Sequence, residues 1–234
     1  MPHRLDTVIR HYVLTSENLA ATSGELHEWL GVGQGHTHTY TLEYGFVNEI
    51  MMVGNSFIEV GQPIWANHRL HGVLEDRGGE CAQMVVLQTQ DCYQLRERAL
   101  ARNLTLTKDK KFQGQKVIQF DPEVFGTRLE TYEYDLPDGW WTGRPETYTQ
   151  STIVKDIVGA DVAVHDPEAI AAATADVFQA ELDAGANTVR LGGNYLKFVP
   201  ANGWQGLTTL HLTPLDPARR GDTKTICGTE FRFV

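Results

Sequence analysis

Four times along this chain a β-rich segment runs into a helix cap, and that recurrence constrains the fold more than any other feature. The caps line up as Glu17-Asn18-Leu19-Ala20, Gln90-Asp91-Cys92-Tyr93, His165-Asp166-Pro167-Glu168 and Leu215-Asp216-Pro217-Ala218. Asn and Asp side chains accept hydrogen bonds from the free N–H groups of a first helical turn, and Pro suits the first helical position. The segments that close the units match as well: Phe57-Ile58-Glu59-Val60, Leu129-Glu130-Thr131-Tyr132, Leu196-Lys197-Phe198-Val199 and Phe231-Arg232-Phe233-Val234. A unit repeated in this way is a supersecondary module that buries its apolar face by packing on its neighbours.

Within each unit the order is strand, cap, helix, strands. The first has a strand over Val8–Thr15 and a helical face of Leu19, Leu26, Trp29 and Leu30 that stops at Gly31. Its hairpin spans 44–60 and turns at Gly54-Asn55. Residues 65–76 read as a short helix or loop ended by Gly78-Gly79. The second unit has a strand over 82–89, a helix over 92–104, a solvated turn at 108–111 and strands over 117–121 and 127–134. Residues 135–149, with Pro137, Gly139, Trp140-Trp141, Gly143 and Pro145, have linker chemistry. The third unit has a strand over 158–164, an Ala-rich helix over 168–182 and a hairpin whose arms, 188–191 and 195–199, flank Gly192-Gly193-Asn194. The fourth copy is reduced to strands over 207–213 and 230–234 around a very short helix at Asp216. The fold class expected is α+β, built of repeated βαβββ modules. Modules one and two would form a domain over 1–136, a linker 137–152, and modules three and four a domain over 153–234.

Composition narrows the partners. A formal net charge of −10 argues against a nucleic-acid binder, which needs a basic face. No apolar run approaches the roughly 18 residues of a membrane span, and Met1-Pro2-His3-Arg4-Leu5-Asp6 lacks the apolar core of a signal peptide. Cys81, Cys92 and Cys227 are scattered without metal-type spacing, a sparse odd count that fits a reducing cytoplasm.

Among single residues Glu59 stands out. It shares a strand face with Phe57 inside an apolar arm, so it points to water or is held inside by a partner. The second option, with His11 as first partner, is the expectation. His36-Thr37-His38 could bind metal on a strand, but its Gly-rich setting favours a flexible, solvent-facing segment. His68 and His71 fit one helix face at the surface, Asp121 before Pro122 forms a turn, and Trp140-Trp141 cover a core seam. Asp91 and Asp166 are caps. No dinucleotide-binding context surrounds Gly192-Gly193, and no Ser or Cys nucleophile motif is present.

The run His11-Tyr12-Val13-Leu14-Thr15-Ser16-Glu17-Asn18-Leu19, followed without a gap by Trp29-Leu30-Gly31, resembles the opening of the vicinal oxygen chelate (glyoxalase, bleomycin-resistance, dioxygenase) superfamily. Tyr44-Gly45-Phe46-Val47-Asn48, the 54–60 arm and Arg77-Gly78-Gly79 are similar to a bacterial glyoxalase-like subgroup. The resemblance implies modules paired into open half-barrels around one metal, each active module giving a ligand from its first strand and one from its last. Module one would supply His11 and Glu59, and module two Glu130 with Met84 or, shifted by one residue, Gln83. Met is a poor partner for a hard donor set, so the implied set is His11, Glu59, Gln83 and Glu130, suited to Zn, Fe, Mn or Ni. Gly159 or Ala160, Lys197, Thr209 and Arg232 stand at the matching positions of modules three and four, which look structural. The implied function is a metal-dependent lyase, isomerase or dioxygenase acting on a small molecule chelated through vicinal oxygens, with Glu59 or Glu130 also serving as base. The alternative is a metal-free protein that binds or sequesters a small molecule on the same scaffold. The module pairs could satisfy each other within the chain or across a homodimer.

Overall fold

The computed structural model describes residues 7–112, 114–133 and 149–234. Among them are two seven-stranded mixed sheets. The first is made of β1 (Val8–Thr15), β2 (Phe46–Val53), β3 (Ser56–Pro63), β4 (Cys81–Thr89), β5 (Leu106–Phe112), β6 (Gln115–Phe120) and β7 (Arg128–Glu133), in the order β2-β3-β1-β4-β7-β6-β5. The second is made of β8 (Val154–Val164), β9 (Glu181–Asp183), β10 (Thr188–Leu191), β11 (Asn194–Pro200), β12 (Gly206–Pro214), β13 (Thr223–Ile226) and β14 (Thr229–Phe233), in the order β13-β14-β12-β8-β11-β10-β9. Neither sheet closes on itself. The architecture is α+β, as expected, with paired βαβββ modules.

In every module the first strand pairs in parallel with the last, as β1 with β3, β4 with β7, β8 with β11 and β12 with β14. The caps that revealed the repeat are made. Asn18 accepts from the Ala21 N–H to open α1 (Leu19–Leu30), Asp91 from Gln94 to open α3 (Cys92–Leu100), and Asp166 from Ala169 to open α5 (Pro167–Phe178), α2 (Arg69–Arg77) and α4 (Pro122–Phe125) lying between them in the chain. Asp216 accepts from Ala218, and the fourth helix shrinks to the single 3-10 turn Pro217–Arg219.

Several boundaries differ from the sequence expectations, and pairing is the reason for most of them. The charged segment 108–111 is part of β5, not a turn; β5 lies at a sheet edge, where charged side chains face water. The expected helix 168–182 ends at Phe178, because Gln179 turns left-handed and 181–183 pair with β10. The helix expected over 92–104 ends at Leu100, and β8 starts at Val154. Residues 65–76 resolve into α2 (Arg69–Arg77), capped by His68, whose Nδ1 accepts from the Leu70 N–H. Asp121 caps the short α4 (Pro122–Phe125). Tyr134, Trp140-Trp141 and most of the expected linker lie outside the described residues.

The described residues divide into two compact units. One comprises 11–83, 149–158 and 208–234, with Tyr12, Leu14, Leu26, Leu30 and Ile50 fully buried in it. There Trp29 stacks on Phe233 at 5.4 Å, and Arg219 lies 4.7 Å from each ring. The other comprises 7–10, 84–133 and 159–207, with Phe120, Phe125 and Phe178 clustered at 5.1–6.0 Å between ring centres. No helix among the described residues is long and apolar enough to cross a membrane.

Candidate functional site

His11 and Glu59 meet inside the first of these units. The parallel register sets Val13 opposite Glu59, so His11 lies two residues, one same-face step, along β1. His11 Nε2 lies 3.2 Å from Glu59 Oε2, and the two residues are only 1% and 8% exposed. Glu59 is therefore held inside, with His11 as its partner.

A third strand completes the carboxylate's surroundings. Asn48 on β2 donates from Nδ2 to Glu59 Oε1 over 2.9 Å, while its Oδ1 accepts from the backbone N–H of His38 over 3.1 Å. Because a backbone N–H can only donate, the amide's orientation is unambiguous. Burial works to raise the pKa of Glu59 and is the largest single influence on it. The hydrogen bond and charge of His11, the Asn48 hydrogen bond and the charge of His38 outweigh burial, so the carboxyl titrates below its ordinary range and is ionised at neutral pH. An ionised carboxylate only accepts hydrogen bonds, so the proton sits on His11 Nε2.

His38 lies on the segment between α1 and β2, which contradicts the expectation of a flexible, solvent-facing loop for His36-Thr37-His38. His36 and Ile50 exchange backbone hydrogen bonds of 2.8 Å each, tying the segment to β2. Gly35 makes this approach feasible, since a Cβ there would stand 2.5 Å from the Ile50 carbonyl oxygen. His36 stays exposed, whereas His38 turns inward and is buried. Burial and the neighbouring His36 lower the His38 pKa to about 4, against the opposing pull of Glu59. The Tyr40 hydroxyl lies 3.2 Å from His38 Nδ1, and the two rings stack at 4.8 Å. His68 is half-buried at its cap and His71 is exposed.

The other modules can be compared through their own strand registers. In module two Val86 is opposite Glu130, so the counterpart of His11 is Met84, not Gln83. Gln83, buried on β4, faces the other side of its strand from Met84. Glu130 Oε2 accepts from Gln119 Nε2 at 2.5 Å and from Lys108 Nζ at 2.8 Å, and the same Gln119 nitrogen lies 3.8 Å from Met84 Sδ. In modules three and four the counterpart pairs are Gly159 with Lys197 and Thr209 with Arg232.

The implied divalent metal can be tested on these side chains. Module one offers an imidazole nitrogen and a carboxylate oxygen facing each other, with an amide holding the carboxylate. Module two offers a thioether where the imidazole should be, and a carboxylate already compensated by the Lys108 ammonium. Among the described residues no group of three or more His, Cys, Asp and Glu side chains is arranged to hold a metal ion. As these side chains stand, the set His11, Glu59, Gln83 and Glu130 does not fit the metal.

Asn48, Tyr40, Lys108 and Gln119 were not singled out as site residues by sequence reasoning. For Asn48 a signal existed: it alternates in phase with Ile50 and Met52, so a polar residue falls on a buried strand face.

No protein-family model matches the chain, and no curated protein matches it. Among solved structures, a hypothetical protein from Staphylococcus aureus superposes with a TM-score of 0.70 at 13% identity, over 97% of this chain and 99% of that one. A methylmalonyl-CoA epimerase from Mycobacterium tuberculosis gives 0.47 at 16% identity, over 54% of this chain and 87% of its own. A variant of the Streptomyces coelicolor methylmalonyl-CoA epimerase, in complex with 2-nitronate-propionyl-CoA, gives 0.48 at 16%, over 55% of this chain and 98% of its own. The two epimerase superpositions are too loose to carry an inference. What the comparisons establish is a fold shared with the Staphylococcus aureus protein along nearly the whole chain.

Proposed function

We propose that the chain acts at the His11–Glu59 pair on a small molecule bearing vicinal oxygens, as a lyase or isomerase that moves a proton without a metal ion. The observation that supports this reading is the buried contact between His11 Nε2 and the ionised Glu59, with Asn48 fixing the other carboxylate oxygen. In this reading Glu59 takes a proton from the carbon beside a carbonyl, leaving an enediolate. Return of the proton to the former carbonyl carbon, with a hydroxyl proton passing to the other oxygen, isomerises the molecule; expulsion of a group with its bonding electrons from the carbon on the other side of the deprotonated one makes the step a lyase reaction. Release of one donor as the ligand enters raises the basicity of Glu59 toward the working range of a general base.

A second reading, a protein that binds and sequesters such a molecule, is favoured by the low pKa of Glu59, which makes it a weak base in its resting surroundings. The metal-dependent form draws support from the facing nitrogen and oxygen of His11 and Glu59, with Asn48 orienting the carboxylate as outer partners orient ligands. Gln83 and Glu130 enter that form through the family resemblance alone.

Deuterium uptake from D2O at the carbon acids of hydroxyacetone and 2-hydroxyacetophenone, followed by proton NMR on chelator-treated protein, separates the three. The expected result is protein-dependent uptake that survives chelation and is lost in Glu59→Gln. Uptake that Glu59→Gln leaves intact refutes the proposal, and saturable binding without uptake decides for sequestration. Metal above about a tenth of an equivalent in protein purified without added metal, with a thermal gain on adding Zn, Mn, Fe or Ni, decides for the metal-dependent form.

A further inference from the structure

We propose that Asn202 is a site of spontaneous covalent modification, at which the backbone nitrogen of Gly203 closes on the Asn202 side chain and converts it to aspartate and isoaspartate. The inference stands apart from the His11–Glu59 reading.

Asn202-Gly203 is the single Asn-Gly step in the sequence. Such a step ordinarily closes a two-residue hairpin, where cross-strand bonds pin both residues. Here β11 and β12 are separated in their sheet by β8, so residues 201–205 form a crossover rather than a hairpin turn. Two hydrogen bonds of 2.9 Å hold the ends of that connection: the Ala201 N–H donates to the Val164 carbonyl, and Gln205 Oε1 accepts from the His165 N–H. Between these ties Asn202 and Gly203 are both exposed. Gly203 has a φ of +98°, and a Cβ built there would meet no atom within 4 Å. Its nitrogen therefore has neither a side chain beside it nor packed neighbours to hinder attack. Among the described residues no hydrogen bond engages the Gly203 N–H. A main-chain amide that pairing usually withholds from chemistry is thus open, next to an exposed carboxamide.

The step balances with water as its one co-reactant. The Gly203 nitrogen gives up its proton to solvent and bonds to Asn202 Cγ. The Cγ–Nδ2 bond breaks, the amide nitrogen leaves as ammonia with a proton from solvent, and a cyclic succinimide remains. Water opens the ring at either carbonyl. Opening at Cγ gives aspartate on an unchanged main chain. Opening at the main-chain carbonyl gives isoaspartate, whose main chain runs through Cβ and is one carbon longer. That carbon adds about 1.5 Å to a short stretch whose two ends are tied. The tie made by one side chain, Gln205 to His165, is the one expected to open. His165 stands directly before Asp166, the cap of α5, so the modification loosens the start of that helix.

The full chain is aged in neutral buffer and its peptides are mapped by mass spectrometry. A gain of about 1 Da at Asn202 is expected, in both products. It should be at least about tenfold faster than at Asn194, where the side chain of Tyr195 crowds the nucleophile. Gly203→Ala should slow it about tenfold, and Asn202→Gln should all but abolish it. Hydrogen exchange at the His165 amide should be about three- to tenfold faster in the isoaspartate fraction than in fresh chain, as the loss of one hydrogen bond dictates. Asn202→Asp, which supplies the other product alone, should keep the native rate. Conversion at Asn202 no faster than at Asn194, or conversion that Gly203→Ala leaves unchanged, would overturn the proposal. An isoaspartate fraction with native exchange at His165 would overturn the loosening of α5 and leave the modification standing.

Discussion

Asn48 is a diagonal cross-strand neighbour of Glu59 within the β2–β3 hairpin, and the 2.9 Å bond from Asn48 Nδ2 to Glu59 Oε1 joins the segment bearing His38 to the buried carboxylate. One amide thereby satisfies a main-chain donor and a charged acceptor that have both lost water. Removing a partner from buried polar groups costs about 1–3 kcal/mol for each group left unpaired. Asn48→Ala takes a partner from both, so a loss of about 2–6 kcal/mol in urea unfolding is expected, toward the lower end because His11 still contacts Glu59. Asn48→Asp should be worse at neutral pH, because it sets a second carboxylate against Glu59, and the difference should shrink in acid.

The pH dependence of stability should show two windows. His38 titrates at about 4 in the folded chain against an ordinary 6.5, so between these values the unfolded chain binds more protons and stability falls as the pH drops from 6.5 toward 4. Glu59 titrates below its ordinary 4.5, so its contribution is complete above that value and is lost as the pH falls further. Chemical denaturation from pH 7 to 3 tests both. His38→Gln should lessen the slope above pH 4.5, to which the lowered pKa of His68 also contributes, and Glu59→Gln should lessen the limb below it, which it shares with Glu49, Asp109 and Asp176.

Gly35 gives the 33–38 segment its close approach to β2. Gly35→Ala places a methyl group 2.5 Å from a main-chain oxygen that cannot swing aside. A loss of about 1–3 kcal/mol is expected, with faster hydrogen exchange at the amides of His36 and Ile50, whose mutual bonds would open first. Unchanged exchange at those two amides would show that the segment does not depend on this glycine.

Lys108 supplies the charge that Glu130 needs. Lys108→Met should destabilise the chain by about 1–3 kcal/mol. Adding Glu130→Gln should recover most of that loss, because the uncompensated carboxylate disappears with it. A double-mutant cycle on thermal or urea unfolding gives the coupling directly; a coupling near zero would mean that the pair is too well solvated to matter.

The repeat was legible because its signals are local. Asn18, Asp91, Asp166 and Asp216 act within three residues of themselves, so their caps could be read from spacing and are found in the structure. The pairing of His11 with Glu59 was legible for a different reason. A carboxylate within an apolar arm needs a partner, and the family resemblance, not spacing, put His11 forward as that partner. The charged strand at 106–112 was not legible, since nothing local distinguishes an edge strand of Lys and Asp from a turn. His36-Thr37-His38 misled for a similar reason: its glycines suggest mobility, whereas Gly35 serves a close main-chain contact.

The sequence by itself determined the modules, their caps and their order, because periodicity, capping and composition act over short spans of chain; the pair His11 and Glu59 came from the family resemblance that those modules carry. Only the tertiary structure decided what surrounds that pair. Asn48 reaches Glu59 through cross-strand register, His38 is buried through a bridge to Ile50, and Glu130 meets Lys108 from another strand. Register brings together residues that have no local reason to meet, and through those neighbours it sets which donors surround Glu59 and which cation lies against Glu130.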